Sequence, residues 1–503
     1  MKNLRAQSLT ALFWGTGGSI ARMILQLAAQ VVLARILGPA EYGLFALGVI
    51  VVGVSTYFSD IGLAYGLIQK KSVSADDIRF VWTWQCLLGI LISSAIFFSA
   101  GTLAGFFAKP EAEFIFRWLS LVVLINAVTA VSVNLLKKEL NYKPLQLAQL
   151  FSYFLGFVCI GIPLAAAGYG GASLVVSWLV QSGANLVILY WHVRHPLTFK
   201  FWITDGRQML SYGLTVLGTN LVNWVLNGAD KMLVGRIFPA YTVGLYTTAF
   251  NLVNSPSSVL CVNLSSVVFS ACARLQDNHS ALREVFLRML SLIILVSFPL
   301  FVIIAVGSEF VITAIYGAAW VEAAQFLTPF ALAMPFFLVW CISTPILWNS
   351  GHTKLELWLQ LPLVFIWLAV LYAVANSSSE TVAIVAASLF AVRCIVMVLA
   401  VGNVLRISPS SLFRAIRGGI VLTLIMAVIS ILLKMSIAAF DIDVLAQLFL
   451  MLGAGVGAYL MSFFLLAPVL VDESLGTYIA QLNDQLPRWA KPIFKCLLRE
   501  RKK

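Results

Sequence analysis

The feature that most constrains this chain is a succession of apolar runs, each bounded by charged or turn-forming residues. The runs are about 20 residues long, which is the length of helix that spans the hydrocarbon core of a bilayer. No stretch shows the alternating polarity, over about ten residues, of a membrane strand. With 61% hydrophobic and 11% charged residues, the chain has more apolar surface than a water-soluble globule buries. The sequence therefore predicts an all-α integral membrane protein.

We count 14 such runs along the chain. Their centres lie roughly at residues 23, 55, 92, 124, 156, 181, 222, 257, 297, 337, 365, 392, 427 and 457. The first run continues past the length of a signal peptide and has no clear small-residue cleavage site. We therefore expect it to be a membrane helix.

The distribution of basic residues predicts the topology. The formal net charge is +12. If the first helix runs outward, 25 of the 33 Lys and Arg lie at cytoplasmic helix ends or in the C-terminal tail. Because cytoplasmic segments carry this excess in membrane proteins, we expect both termini to be cytoplasmic and no nucleic-acid partner. Four basic residues remain at membrane depth, namely Arg22, Arg117, Lys231 and Arg393.

One boundary between apolar runs occurs twice. "LARILGPAEYGLFAL" begins at residue 33 and "LVGRIFPAYTVGLYTTA" at residue 233. Gly43 of the first copy corresponds to Gly244 of the second, an offset of 201, and Arg35 likewise corresponds to Arg236. Six predicted segments separate the copies. Because six is even, both copies enter the membrane in the same orientation, which is the pattern of a parallel repeat.

The repeat predicts how the chain is divided. We expect one six-helix lobe over 1–195 and a second over 196–405. Two additional membrane helices would occupy 406–472, and a basic cytoplasmic tail 473–503. Parallel six-helix halves are typical of transporters, in which one half rocks against the other around a central site. A duplicated structural scaffold is the alternative.

Two polar stripes at corresponding depths favour transport. They consist of Arg22, Gln26 and Gln30 on the first helix, and of Asn223, Asn227 and Lys231 on the seventh. Residues spaced by four share one face of a helix. Charge at bilayer depth costs about 2.5–3.5 kcal/mol even on insertion scales, so such stripes face protein or water. We interpret them as two sides of a central polar cavity.

The alternative for the stripes is structural. The amides would then bond neighbouring helices, and Asp230 would neutralise Lys231. Successive residues differ by about 100° around a helix. We therefore expect Asp230 to point away from Lys231 and to pair with a cation elsewhere, for which Arg393 is a candidate.

Several segments, taken in order, resemble the Wzx-type polysaccharide and lipopolysaccharide O-unit flippases of the multidrug/oligosaccharidyl-lipid/polysaccharide exporter superfamily. They are "FSDIGLAYGLIQKK" (58–71), "LLKKELNYKPLQLAQL" (135–150), "VVFSACARLQD" (267–277) and "YGAAW" (316–320), together with the repeated boundary. The resemblance extends over residues 1–420. Where this family commonly has proline after Phe269, the chain has Ser270, a departure that bears on the local helix geometry and not on the family assignment.

The resemblance implies a flippase in the bacterial inner membrane. It would move an undecaprenyl-diphosphate-linked oligosaccharide from the cytoplasmic to the outer leaflet. Arg22 and Lys231 would bind the diphosphate through charged hydrogen bonds. The polar side chains expected to contact the sugars are Gln26, Gln30, Asn220, Asn223, Asn227 and Asn254. Asp60 and Asp230 are candidates for ion coupling.

The implied partners are the lipid-linked oligosaccharide and membrane lipids, with a polysaccharide polymerase and chain-length machinery as further candidates. We expect a monomer without a cofactor. A multidrug or ion-coupled exporter of the same superfamily is the second interpretation. A membrane O-antigen ligase or polymerase is the third. An enzyme of that kind would need a long outer loop with catalytic side chains, and the predicted outer loops are short, so we expect no enzyme activity.

Three further expectations concern single residues. Six of the seven cysteines fall in predicted spans without paired spacing, so we expect no disulfide and no metal site. His192 and His195 lie in a basic linker and are expected to be solvated. Arg35 and Arg236 lie at predicted outer helix ends, where we expect them to bond helix-terminal carbonyls.

Overall fold

A computed structural model describes residues 2–70, 72–276, 278–437 and 443–470. Helices make up almost all of this part of the chain, and it contains no strand. The α-helices are α1 (Lys2–Asp60), α2 (Leu63–Gln69), α3 (Ala75–Phe107), α4 (Ala112–Lys138), α5 (Tyr142–Tyr153), α6 (Ile162–Ala166), α7 (Gly171–Val193), α8 (Gly206–Ile237), α9 (Ala240–Cys272), α10 (His279–Val306), α11 (Ser308–Tyr316), α12 (Ala324–Asn349), α13 (Thr353–Ala373), α14 (Ser379–Val404), α15 (Pro409–Ile437) and α16 (Val444–Leu470). A π-helical turn, Phe154–Gly161, joins α5 to α6, and a 3₁₀ turn, Ala318–Ala323, precedes α12.

The predicted all-α membrane fold is confirmed. Within the described ranges, 12 helices are long and apolar enough to cross a bilayer. One of them, Phe13–Asp60, is 48 residues long. It is interrupted at Gly38, whose φ of 75° and ψ of 174° are not helical. Counting its two halves separately and adding α8 brings the 12 to the 14 predicted segments.

Helix α8 is not among these 12 apolar helices because it carries the polar stripe. It is 32 residues long, which exceeds what a span needs. Its asparagines and charged residues lower its hydropathy, and they are the residues that the repeat relates to the stripe on α1. Helices α15 and α16 correspond to the two additional membrane helices predicted in 406–472. The predicted basic tail, 473–503, lies outside the described residues.

The chain forms two compact units. The first consists of the described residues of 1–248 and 363–382, and the second of those of 249–362 and 383–503. In the first unit, α4 packs against α1, α3 and α7. In the second, α10 packs against α12 and α15, and α15 packs against α16. The division into lobes at residue 195 stays a prediction.

The two copies of the repeated boundary contact each other within the first unit. A Cβ built on Gly43 would collide with the carbonyl oxygen of Ala240, and one built on Gly244 would collide with that of Pro39. The repeat offset relates Pro39 to Ala240 as it relates Gly43 to Gly244. The contact is therefore symmetric, and only glycine lets the two backbones approach so closely. The repetition of this boundary thus has a direct packing consequence.

Arg236, at the end of α8, bonds helix-terminal carbonyls as predicted. Its guanidinium donates to the carbonyl oxygens of Gly105, at 3.2 Å, and of Phe106. These carbonyls belong to the last turn of α3 rather than to the α8–α9 corner itself. The Arg236 guanidinium also lies 5.1 Å from the centre of the Phe106 ring. A cation here bonds carbonyls in the last turn of α3, where the helix dipole favours positive charge.

The non-helical segment 194–205 is tied to α2 and α3 by ion pairs. Lys200 Nζ lies 2.5 Å from the carboxylate of Asp76, and Lys70 Nζ lies 2.8 Å from that of Asp205 and 2.7 Å from that of Asp77. Hydrogen bonds that the Lys70 ammonium donates to the carboxylates of Asp205 and then Asp77 raise the pKa of Lys70 above its ordinary value. The segment therefore has a defined course between α7 and α8.

The expectation that His195 is solvated is wrong, whereas His192 is exposed as expected. His195 is 5% exposed, and its ring meets that of Tyr190 edge to face at 5.4 Å. Burial lowers the pKa of His195 below its ordinary value. Sequence reasoning missed this because a short loop that folds back onto its helix looks the same in sequence as a solvated one.

The expectation of no disulfide is also wrong. Cys261 on α9 is bonded to Cys341 on α12, both in the second unit. The two cysteines are 80 residues apart in sequence, and helix packing brings their Cα atoms to 5.7 Å, within the usual range for a bridge. No local spacing pattern could have indicated this pair.

Candidate functional site

The polar stripe of α8 lines an open pocket of about 250 Å³ in the first unit. Asn223, Asn227 and Lys231 all contribute to its wall, as their spacing by four on one helix face requires. Trp224 and Gly228 lie beside them on α8. The second half of α1 forms the opposite wall through Val49, Ile50 and Tyr57. The pocket is thus apolar on one side and carries amides and a cation on the other.

A ladder of hydrogen bonds along α8 positions this stripe. Asn223 Nδ2 donates to the carbonyl oxygen of Thr219 at 3.1 Å, and Asn227 Nδ2 donates to that of Asn223 at 2.7 Å. Lys231 Nζ donates to the carbonyl oxygen of Asn227 at 2.8 Å. Each bond reaches back one turn along the same helix, which holds the side chains parallel to the axis. The stripe is therefore ordered by its own helix and not only by neighbouring ones.

Asp230 is buried beside the lysine of the stripe. It is 4% exposed, and one of its carboxylate oxygens accepts a hydrogen bond of 2.7 Å from the hydroxyl of Tyr246. The same carboxylate lies 3.4 Å from Lys231 Nζ. The expectation that Asp230 points away from Lys231 is therefore wrong. The Cβ atoms do diverge around the helix, but the flexible four-carbon stem of lysine lets the ammonium reach back to the carboxylate.

The stripe of α1 has different surroundings. Arg22 Nη1 donates to Gln149 Oε1 on α5. Gln26 and Gln30 are half-buried, and the carbonyl oxygen of Gln30 accepts a bond of 3.2 Å from the hydroxyl of Tyr42. None of the three stripe residues is among the lining residues of the α8 pocket. The structure thus assembles the α8 stripe into one pocket and ties the first residue of the α1 stripe to α5.

The remaining predicted site residues are not among the residues that line that pocket. Asn220 is half-buried on α8, one turn before Trp224. Asn254 belongs to the second unit, where its Oδ1 accepts a bond of 3.5 Å from Ser258. Asp60 ends α1, and Gln85 Nε2 donates both to its carboxylate and, at 3.2 Å, to its backbone carbonyl. Asp60 is therefore held in place by a fully buried amide.

Sequence reasoning missed two residues that support the site. Gln149 is the partner of Arg22, and Tyr246 is the partner of Asp230. A signal existed for each. Gln149 is a polar residue within a predicted span and within the family-like segment 135–150. Tyr246 stands in the second copy of the repeated boundary, where the first copy has Phe45, so its hydroxyl is a polar group that the first copy lacks at this position.

The fold is similar to that of a solved structure described as "Lipid II flippase MurJ, inward closed conformation". The TM-score is 0.71 at 14% sequence identity, and the match covers 90% of this chain and 98% of that one. The fold and its apolar helices define a multi-pass α-helical membrane protein.

The chain belongs to the family described as polysaccharide biosynthesis protein, whose model matches residues 32–325. Teichuronic acid biosynthesis protein TuaB of Bacillus subtilis (strain 168) is 26% identical over 467 residues, which are 92% of this chain and 96% of TuaB. Lipopolysaccharide biosynthesis protein WzxC of Escherichia coli (strain K12) is 22% identical over 325 residues, 63% of this chain and 65% of WzxC. The resemblance to the polysaccharide flippases is confirmed.

Proposed function

We propose that this protein is a flippase of the bacterial inner membrane that moves an undecaprenyl-diphosphate-linked oligosaccharide from the cytoplasmic to the outer leaflet. It works by alternating access of two lobes and is a transporter, not an enzyme. The observation that carries the proposal is the α8 pocket, in which Asn223, Asn227 and Lys231 place amides and a cation inside a membrane helix. Membership of a polysaccharide biosynthesis family supports the substrate class.

The diphosphate is the part of such a substrate that the bilayer rejects. Moving it across needs charged and polar groups that replace its hydration. Lys231 supplies a compact cation at the pocket, and Arg22 supplies a planar guanidinium suited to two phosphate oxygens. Asp230 lies within 3.4 Å of the Lys231 ammonium, so the diphosphate would displace or share this contact. Lys231 would thus be paired with Asp230 when the pocket is empty and with the diphosphate when the pocket is occupied.

The sugars need neutral hydrogen-bonding groups and aromatic surfaces. Gln26, Gln30, Asn220, Asn223, Asn227 and Asn254 would supply the amides. The amides of Asn223 and Asn227 each donate one N–H to their own helix, and an amide group can also accept from a sugar hydroxyl through its oxygen. Trp224, in the same pocket, offers an apolar ring face. We take Asp60 and Asp230 as candidates for ion coupling.

The topology follows from the basic residues. Both termini would lie in the cytoplasm, because most of the lysines and arginines flank the predicted cytoplasmic helix ends. Membrane lipids surround the protein, which would act as a monomer. A polysaccharide polymerase and chain-length machinery would consume the delivered units.

Charge-removing variants test the proposal. Arg22→Ala and Lys231→Ala should each reduce glycan at the cell surface in a strain that depends on this protein, with the protein still present in the membrane. Arg22→Lys should retain part of the export because the charge remains. Lys354→Ala is the matched control, because Lys354 is an exposed lysine at the start of α13, and it should export normally.

The same variants should be compared for flipping of a fluorescent lipid-linked oligosaccharide in proteoliposomes. Normal flipping by both alanine variants at wild-type protein levels would contradict the diphosphate role. Flipping of the lipid without its oligosaccharide at the same rate would contradict the substrate class.

A further inference from the structure

A second polar cluster lies within the second unit. It joins α12, α13 and α14 through Arg393, Gln360 and Glu356. Arg393 is 2% exposed and Gln360 is 5% exposed. These helices are apolar enough to cross a membrane, and ionisable groups inside such helices are costly unless they are paired. We therefore ask how these charges are stabilised and what they do.

The hydrogen bonds of this cluster have only one consistent direction. Arginine can only donate, so Arg393 Nη2 donates to Gln360 Oε1 at 2.9 Å. This fixes the side-chain amide, and Gln360 Nε2 then donates to Glu356 Oε1 at 2.9 Å. Gln360 thus links the Arg393 cation to the Glu356 carboxylate through two hydrogen bonds.

Two donors from α12 complete the surroundings of the carboxylate. Thr344 Oγ1 donates to Glu356 Oε1 at 3.0 Å, and Trp348 Nε1 donates to Glu356 Oε2 at 2.9 Å. An indole N–H and an amide N–H can donate but not accept. The arrangement is therefore that of an ionised carboxylate, and together with Arg393 it makes a neutral cluster.

Glu356 is the one member whose charge can change. Arginine stays protonated in proteins, and here the Arg393 guanidinium also lies 4.4 Å from the centre of the Trp340 ring, which favours the cation. Threonine, tryptophan and glutamine do not titrate in the physiological range. Cys394, next to Arg393 on α14, is buried, and Lys354, two residues before Glu356 on α13, is exposed. Protonation of the cluster therefore falls on Glu356.

We propose that Glu356 is a proton-binding site that couples proton movement to transport. The proton comes from water and forms an O–H bond on the Glu356 carboxyl group. Among its partners only the Thr344 hydroxyl can turn to accept from that O–H. The bonds from Trp348 and Gln360 then lose their ionic acceptor, and the attraction between the Glu356 carboxylate and the Arg393 cation is lost. Proton binding thus loosens the start of α13 from α12 and α14, and proton release restores the ties.

This coupling role rests on the proposed transport function, but proton binding can be measured without transport. The purified full-length protein in nanodiscs is followed by pH-difference infrared spectroscopy. Wild type should develop the C=O band of a protonated carboxyl group as the pH falls, and Glu356→Gln should lack one such band. Glu309→Gln is the matched control, because that carboxylate is 56% exposed, and it should keep the Glu356 band.

A second variant separates proton binding from a structural role. Trp348→Phe removes one donor to the ionised carboxylate and keeps an aromatic ring in place. Since donors stabilise the charged form, the midpoint of the Glu356 band should move upward by about one pH unit. A cluster that only fastens helices would show no band to shift.

Transport gives the last arm of the test. In proteoliposomes, Glu356→Gln should lose the pH dependence that wild type shows in flipping a lipid-linked oligosaccharide. Absence of the band in wild type, or its persistence in Glu356→Gln, overturns the proton site whatever the transport result. A band that belongs to Glu356, together with unchanged pH dependence in Glu356→Gln, overturns the coupling role. Failure of wild type to flip the substrate at any pH overturns the proposed function, and the infrared bands then still decide whether Glu356 binds a proton.

Discussion

The close approach of the two repeated boundaries predicts that Gly43→Ala destabilises the folded protein. A Cβ built on Gly43 lies 2.6 Å from the carbonyl carbon of Ala240 and 2.8 Å from the amide nitrogen of Gly244. Non-bonded carbon atoms pack at about 3.5–4.0 Å, so α1 and α9 would have to separate locally by about 1 Å. The obstacle is backbone, which has no rotamer by which to move aside.

The size of the effect follows from two opposing contributions. Overpacking a well-filled site costs about 1–3 kcal/mol, and a backbone obstacle places this case at the upper end. Alanine in a helix interior gains about 1 kcal/mol over glycine. The net loss should be about 2 kcal/mol, a factor of about 30 in the unfolding equilibrium. Because the contact is symmetric, Gly244→Ala should lose a similar amount.

The measurement is unfolding of the purified protein in detergent with increasing denaturant. Gly183→Ala on α7 is the matched control, since a Cβ there meets nothing within 4 Å, and it should be neutral or slightly stabilising. If Gly43→Ala and Gly244→Ala unfold at the same denaturant concentration as wild type, the close-contact argument is refuted. An equal loss in Gly183→Ala would refute it as well.

Three other predictions concern single side chains. Tyr246→Phe removes the donor to the buried Asp230 carboxylate and should cost about 1–3 kcal/mol in denaturant unfolding, and an unchanged midpoint would contradict this role. Arg236→Ala should lower the free energy of unfolding by about 0.3–1 kcal/mol, because it removes the cation that bonds the carbonyls at the end of α3. An unchanged melting temperature together with abolished export would instead indicate a substrate contact. Burial lowers the pKa of His195, so the folded state binds fewer protons than the unfolded chain at acidic pH. The contribution of His195 to stability is therefore present above the unfolded pKa of about 6.5 and is lost as the pH falls. The melting temperature of wild type should therefore fall more on acidification than that of His195→Gln. Equal dependence of the two melting temperatures on pH would count against this account.

The sequence alone determined the class of fold. Spanning helices were predictable because hydropathy and backbone hydrogen bonding act within one segment of chain. The break at Gly38 and the repeated boundary were readable for the same reason, since both are local patterns. Membership of a polysaccharide flippase family was readable from short motifs in order. The α8 stripe was also predictable, because spacing by four places side chains on one face of a helix.

Tertiary structure decided which polar groups meet. Arg22 bonds Gln149, 127 residues away, and Cys261 bonds Cys341, 80 residues away. The hydrogen bonds that link Arg393 to Glu356 join groups that carry no shared motif in sequence. Lys231 reached Asp230 through side-chain flexibility that helix geometry alone does not describe. Helix periodicity orients a side chain around its own axis, whereas the partner that stabilises a buried charge is chosen by packing between helices far apart in sequence, and that packing is where the chemistry of this protein was decided.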